Sequence, residues 1–275
     1  MLQKVVFTDI DGTMTDIITG KYGTTKALVR ELKAKKIPVV LCSAKTRAEQ
    51  VEIRRRMSVR DPYVVENGGA VIIPKNYFRS SSVTYKNTAN FKNYFVIKLG
   101  KPAPLVRSKL DLIRKKFKIE FTGVADVSTK KLSYLTGLTL KSAGRMAKRE
   151  YGETILSIDN KDAASFSRKA RKTGLKVIHG GRYMDVTLGN DKGKAVEILL
   201  SLFRREYANI VIFFGIGDSL NDVPMLRHLD VPMFVQRPDG SWPAVKIRNL
   251  CNLEGIGPKG WANAVNRIMD TKSKE

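Results

Sequence analysis

Two aspartates, Asp9 and Asp11, stand two residues apart in the run Asp9-Ile10-Asp11-Gly12-Thr13, directly after the short apolar stretch 4–8 (KVVFT). Ligands of open α/β sheets bind just beyond the carboxyl ends of strands. Two carboxylates crowded there repel each other, and a bound divalent cation offsets that repulsion. Gly12 allows the chain to turn sharply away. A second acidic turn, Gly217-Asp218-Ser219-Leu220-Asn221-Asp222, follows another apolar stretch, 210–214 (IVIFF). Magnesium takes oxygen ligands and keeps several waters, so carboxylates from two loops suit it. Asp9, Asp11, Asp218 and Asp222 are therefore the candidate metal-binding set, and Mg²⁺ is the expected cofactor.

Further residues point to phosphate. Ser43 lies between stretch 37–42 and the helical pattern 46–57, where a hydroxyl and free backbone N–H groups make an anion site. Ser43 or Thr46 could equally be a plain helix cap. Lys192 opens another helix in Asp191-Lys192-Gly193-Lys194-Ala195, and a buried lysine there can neutralise phosphate charge in a transition state. Gly180-Gly181-Arg182 could offer Arg182 and backbone amides to a substrate carboxylate; a turn with a surface arginine fits the same residues. Asn67, in Asn67-Gly68-Gly69, is a further candidate for substrate contact, although the tripeptide also reads as a tight hairpin turn. His179 and His228 carry no nucleophile or metal-site pattern.

These residues need elements to hold them. Stretches 4–8, 37–42, 63–65, 70–73, 210–214 and 231–235 read as strands. Segments 24–36, 46–57 and 193–205 read as helices, and Trp261, Val265 and Ile268 share one helical face near the end. Strands alternating with helices predict a doubly wound α/β core with a parallel sheet. Residues 84–187 break the rhythm, with strands expected at 94–99, 154–158 and 183–187 and helices at 104–117, 139–150 and 160–173. The expected organisation is a core from 1–83 and 188–275 carrying an inserted α+β cap at 84–187.

Composition bounds the rest. The chain has 275 residues, 43% hydrophobic and 28% charged, as expected of a soluble globular protein. No apolar run is long enough to span a bilayer, the first strand leaves no room for a secretory signal, and Cys42 and Cys251 cannot form a disulfide framework. A reducing cytoplasm is the expected setting. The net charge is +24, with 23 Lys and Arg against 8 Asp and Glu in residues 84–187. Basic helix faces kept soluble account for much of this. Steering of an anionic small molecule is the functional reading, and nucleic-acid binding, suggested by Arg54-Arg55-Arg56 and Arg114-Lys115-Lys116, is the competing one.

Taken in order, the Asp9 motif, Ser43, Lys192 and the Asp218 motif resemble the haloacid dehalogenase superfamily. The longer stretches IPVVLCSAKTRAE, DPYVVENGGAVIIP, HGGRYMDV, DKGKA, GIGDSLNDVPML and GPKGW resemble its mannosyl-3-phosphoglycerate phosphatase family nearly end to end. Ser43-Ala44-Lys45-Thr46 stands where most sugar-phosphatase relatives have Thr-Gly-Arg. The resemblance implies that Asp9 is the nucleophile and Asp11 the general acid/base, whose backbone carbonyl also ligates the metal. It further implies that Asp218 is a direct magnesium ligand, with Asp222 and Asn221 supporting it, and that Ser43 and Lys192 grip the phosphate. The implied reaction is hydrolysis of mannosyl-3-phosphoglycerate to mannosylglycerate and phosphate through an aspartyl-phosphate. The glucosyl analogue or another phosphorylated sugar is the alternative substrate.

Overall fold

The computed structural model describes residues 2–79, 83, 85–180, 182–208 and 210–271. The chain opens with β1 (Gln3–Thr8), α1 (Thr25–Ala34), β2 (Val39–Cys42), α2 (Arg47–Met57), β3 (Tyr63–Val65), β4 (Ala70–Pro74), β5 (Thr88–Asn90) and β6 (Tyr94–Lys98). It continues with α3 (Ala103–Phe117), β7 (Phe121–Gly123), α4 (Thr129–Thr136), α5 (Leu140–Met146), β8 (Gly152–Ile158), α6 (Asn160–Lys172), β9 (Lys176–His179) and β10 (Met184–Thr187). It closes with α7 (Lys192–Glu206), β11 (Val211–Gly217), α8 (Val223–Leu226), β12 (Val231–Gln236), β13 (Cys251–Ile256) and α9 (Pro258–Asp270).

A nine-stranded sheet runs in the order β13-β12-β11-β1-β2-β3-β4-β6-β5. The strands from β13 across to β3 are parallel, and β4, β6 and β5 join antiparallel at one end. The central strands are apolar on both faces because both faces are covered. Val6, Val39 and Leu41 pack toward α1, α2 and α9 through Leu32, Ile53, Trp261 and Val265. Val5, Phe7 and Val40 pack the other way, toward Val196, Leu199 and Phe203 of α7 and Met225 and Leu226 of α8.

The second sheet, β7-β8-β10-β9, is antiparallel throughout. Val106, Leu110 and Ile113 of α3 and Phe166 of α6 pack on Ile155 and Val186 to give it a separate core. The strand expected at 94–99 is present, but it belongs to the large sheet, where Tyr94–Lys98 pairs with Ala70–Pro74. Residues 88–98 are therefore core sheet, inside the range expected for the insertion. Strand length alone does not reveal which edge a segment will join.

Local chemistry starts the helices that matter. Thr46 caps α2 by accepting from the Glu49 amide, and the Glu49 carboxylate takes the Thr46 N–H in return. Asp191 caps α7 by accepting from the Gly193 and Lys194 amides. Gly68 has φ +87°, and a Cβ there would stand 2.2 Å from the Asp191 carbonyl carbon, so a glycine is what lets the start of α7 approach the β3–β4 turn.

Trp261 in α9 is fully buried and donates its indole N–H to Thr8 Oγ1 at 3.0 Å. Thr8 in turn donates to the Asp9 carbonyl at 2.8 Å. Trp261→Phe, which keeps most of the bulk and removes the donor, is expected to cost about 1 kcal/mol, and Trp261→Ala about 3–5 kcal/mol. Urea unfolding measures both; a Trp261→Phe protein as stable as the wild type would mean that the indole N–H contributes nothing.

Candidate active site

Strand ends bring the acidic motifs together. β1 delivers Asp9 and its parallel neighbour β11 delivers Asp218, with Thr8 in register with Ile216. Asp9, Asp218 and Asp222 are all buried, and each offers a carboxylate oxygen within 4.8 Å of the others. Lys192, 2% exposed, reaches in from the first turn of α7 and donates to Asp9 Oδ1 at 3.0 Å and to Asp222 Oδ1 at 2.7 Å.

Asp222 organises the second loop. Its Oδ2 accepts from the backbone amides of Asp218 at 3.1 Å and Ser219 at 3.2 Å. With Oδ1 on Lys192, most of its acceptor capacity is already used, which suits a supporting role. Asp218 keeps more free, since it accepts from Thr13 Oγ1 at 2.8 Å. Gly12, at φ +80°, clears space for it: a Cβ on Gly12 would lie 2.7 Å from Asp218 Oδ2. The two acidic turns are thus fitted to each other through Gly12 and Thr13.

Burial pushes the Asp9 carboxyl up to about 7; the Lys192 ammonium opposes this, and the charges of Asp222 and Asp11 add to it. Burial also pushes Asp218 well above the usual carboxylate range, with Asp222 and Asp9 adding to it. For Lys192, burial pulls down but Asp222 and Asp9 outweigh it, so the ammonium stays charged. One lysine does not balance three carboxylates. Buried anions short of positive charge, all oxygen donors, are what a hard divalent cation requires, and Asp9 and Asp218 are the residues with lone pairs to give it.

Asp11 stands apart from this cluster. Its side chain is 45% exposed, and its Oδ2 lies 2.8 Å from Lys45 Nζ. For Lys45, burial pulls down but Asp11 and Glu49 outweigh it and keep the ammonium charged. Ser43, at the end of β2, accepts from the Lys45 amide at 3.2 Å through Oγ. Its own proton has no acceptor among the described residues, so the hydroxyl is free to donate to an anion.

Asn67 and Asn221 meet, but not in an open pocket. Asn221 Nδ2 donates to Asn67 Oδ1 at 2.9 Å, and Asn67 Nδ2 donates to Asp185 Oδ2 at 3.0 Å. Asp185, from β10 of the small sheet, also takes Thr154 Oγ1 at 2.6 Å and lies 3.2 Å from Arg149 Nη2. Arg149 also lies 3.8 Å from Glu66, whose carboxylate accepts from the amides of Glu150 at 2.8 Å and Tyr151 at 2.9 Å. Glu66 and Asn67 both hold positive φ, so the turn is not the simple hairpin its glycines suggest. This buried polar chain from the Asp218–Asp222 loop to the small sheet was not foreseen from sequence. A signal existed in the acidic and amide residues flanking the Gly68-Gly69 pair, but their partners lie more than eighty positions away.

Arg182 is exposed and donates to the Thr136 and Leu135 carbonyls at the end of α4. It makes no hydrogen bond to the carboxylate cluster among the described residues, and Gly181 lies outside them.

Asp9 takes up a proton more tightly in the folded state, so without a cation the stability it contributes falls as pH rises from about 4 toward 7. In chelator at pH 8, Asp218→Asn is therefore expected to melt above the wild type, by about 2–4 °C per kcal/mol recovered, and magnesium to stabilise the wild type more at pH 8 than at pH 5.5. Differential scanning calorimetry measures both; an Asp218→Asn protein that melts lower would contradict the excess negative charge. For the polar chain, Asn67→Ala should cost about 1–3 kcal/mol through stranded partners, and Asn67→Asp more, since it sets a carboxylate against Asp185. A smaller loss for Asn67→Asp, measured by urea unfolding, would contradict the charge repulsion at this junction.

Residues 6–237 match the haloacid dehalogenase-like hydrolase family. The chain is 38% identical over 270 residues to a glucosyl-3-phosphoglycerate/mannosyl-3-phosphoglycerate phosphatase of Methanococcoides burtonii, covering 98% of each. It is 31% identical over 251 residues to a mannosyl-3-phosphoglycerate phosphatase of Pyrococcus horikoshii, covering 91% of this chain and 96% of that one. A solved Thermoplasma acidophilum structure shares the fold with a TM-score of 0.66 at 17% identity, over 98% of this chain and 97% of that one. With its paired acidic loops at adjacent strand ends and a lysine between them, this chain belongs to the haloacid dehalogenase-like hydrolases.

Proposed function

We propose that this protein is a magnesium-dependent phosphatase acting on mannosyl-3-phosphoglycerate or its glucosyl analogue. The observation that carries the reading is the buried Asp9–Lys192–Asp222 constellation beside Asp218, in a chain similar over nearly its whole length to phosphatases named for those substrates.

Each residue then has a task. An Asp9 carboxylate oxygen attacks phosphorus, and the bond from phosphorus to the glycerate oxygen breaks. Asp11, the more exposed of the pair, gives its proton to the departing oxygen. Water next attacks the aspartyl-phosphate; Asp11 takes up the water's proton, and the Asp9 carboxylate is released with inorganic phosphate. Ser43 and Lys192 hold the phosphoryl oxygens. Magnesium held by Asp9, Asp218 and the Asp11 carbonyl, with Asp222 and Asn221 behind them, would supply the positive charge that the buried carboxylates and the phosphate lack.

The small sheet with α3 to α6 serves in this reading as the cap that shields the reaction from water. It already touches the core near Ser43: Thr46 Oγ1 donates to the Arg145 carbonyl at 2.9 Å, and Arg47 pairs with Glu150 at 2.8 Å. The basic runs that suggest nucleic-acid binding are partly consumed within the chain. Arg54 stacks on Tyr63, Arg55 and Arg56 both pair with Glu52, and Arg114 pairs with Asp126. Among the described residues no helix is long and apolar enough to cross a membrane. Cys42 and Cys251 are both free thiols, which supports a reducing compartment.

Phosphate release across mannosyl- and glucosyl-3-phosphoglycerate, 3-phosphoglycerate and glucose 6-phosphate tests the reading. The glycosylated phosphoglycerates are expected to lead, chelation to abolish turnover and magnesium to restore it. Asp9→Asn should lower kcat to background, since it keeps the shape and removes the nucleophile. If glucose 6-phosphate is turned over as fast as the glycosylated phosphoglycerates, the substrate assignment fails. If metal-free Asp9→Asn protein stays active, the mechanism fails.

A further inference from the structure

Such a substrate carries two anions, a phosphate and a carboxylate, and the constellation around Asp9 accounts for the phosphate. Building on the function proposed above, we propose that Lys45 is the group that binds the substrate carboxylate and so distinguishes phosphoglycerate esters from other sugar phosphates.

The two lysines that pair with the Asp9–Asp11 motif divide the site. Lys192 is 2% exposed and spans Asp9 and Asp222 inside the buried cluster. Lys45 is 23% exposed and pairs with Asp11, whose side chain is 45% exposed. An ammonium has three N–H donors. Asp11 at 2.8 Å takes one; Glu49 at 4.0 Å is close enough to feel the charge but too far for a hydrogen bond. Donors therefore remain for a ligand, and the Asp11 pair is exposed enough on its carboxylate side to rearrange at little cost.

The position follows from the chemistry assigned to Asp11. Its carboxyl must reach the ester oxygen on glycerate C3, so a cation bound to Asp11 stands across that one carboxyl group from the oxygen. In a 2-O-glycosyl-3-phosphoglycerate the carboxylate is carried two carbons from the same oxygen. In this reading Lys45, bound to Asp11, stands on the leaving-group side, whereas Lys192 is bound to Asp9 and Asp222.

The lysine is also well placed to keep its aim. Its backbone N–H holds Ser43 Oγ, its carbonyl accepts from the Glu66 amide at 3.0 Å, and the next residue is the Thr46 cap of α2. The residue that grips the carboxylate would then be rigidly joined to the residue that donates to the phosphate, so one short turn measures the separation of the two anions. Arg182, the other cation considered for this task, is bound to the end of α4.

The test compares two substrates that differ only at the carboxylate: mannosyl-3-phosphoglycerate and its primary amide, in which that charge is lost. Wild-type kcat/KM should favour the acid by roughly tenfold to hundredfold, the range of a charge-assisted hydrogen bond. In Lys45→Gln the preference should collapse to within about threefold, and Lys45→Arg should retain most of it. Any damage from the lost Asp11 contact falls on both substrates and cancels in the ratio. Melting temperatures of the variants show that they are folded, and Lys45→Met, uncharged and of similar length, supplies the answer if Lys45→Gln is not. A preference that survives Lys45→Gln, or one that Arg182→Ala abolishes instead, overturns the proposal while leaving the phosphatase reading in place. A wild type that hydrolyses neither compound overturns both.

Discussion

Three carboxylates, those of Asp9, Asp218 and Asp222, are held out of water around the single ammonium group of Lys192. Most of the fold can be understood as what is needed to tolerate that arrangement. Buried charge is costly unless paired and hydrogen-bonded. Here the pairing comes from α7, and the hydrogen bonds come from the Asp218 and Ser219 amides and from Thr13. The parallel β1–β11 pair sets the spacing between the two acidic turns. The apolar layers on both faces of the sheet hold that spacing rigid, because close-packed side chains leave little room for the strand ends to shift. The remaining negative charge is unbalanced within the chain, and it is this imbalance that makes the cluster a place for a cation rather than a buried salt bridge.

The same economy extends to the second sheet. The small sheet is joined to the second acidic loop by side chains as well as by its chain connections: Asn221 to Asn67, Asn67 to Asp185, Asp185 to Arg149, and Arg149 to Glu66. Burial raises Glu66 to about 7, against the pull of Arg149 and of the Glu150 and Tyr151 amides. A polar junction of this kind holds one geometry well, since each amide and carboxylate has a directional partner, whereas an apolar junction could slide. Any movement of the small sheet against the core must therefore break or carry along the bonds that reach Asn221, one residue from Asp222. The position of the small sheet and the shape of the acidic loop are mechanically one problem.

How much of this is legible in the sequence depends on the range of the interaction. The doubly wound core is readable because its strands are short apolar runs bounded by turns and its helices carry local caps, as Thr46 with Glu49 and Asp191 show. Asp9, Asp218 and Lys192 are readable because each sits at a predicted strand end or helix start, and the structure brings them together. What the sequence could not place were the partners of residues whose bonds cross the chain. Tyr94–Lys98 reads as a strand, yet its membership of the large sheet depends on an antiparallel pairing with β4 that no local pattern encodes. Asn67 reads as a turn residue open to substrate, but its amide is taken by Asn221 and Asp185, 154 and 118 positions away. Trp261 reads as a core residue, and its bond to Thr8 beside Asp9 spans 253 positions.

Lys45 illustrates the same limit from the other side. In sequence it is one lysine among many, in a chain of net charge +24. In the fold it occupies the turn between Ser43 and the α2 cap, and its contact with Asp11 at 2.8 Å sets it apart from the solvated lysines of the helix faces. Net charge steers anions toward the molecule over distances limited by salt screening. Selection among anions requires a charge whose position is fixed relative to the reacting atoms. A surplus spread over helix faces cannot do that, because a phosphate and a carboxylate respond to it alike. Two lysines held on one acidic motif can, since the backbone of the β2–α2 turn and of α7 anchors them, and a ligand needs two correctly spaced anions to engage both.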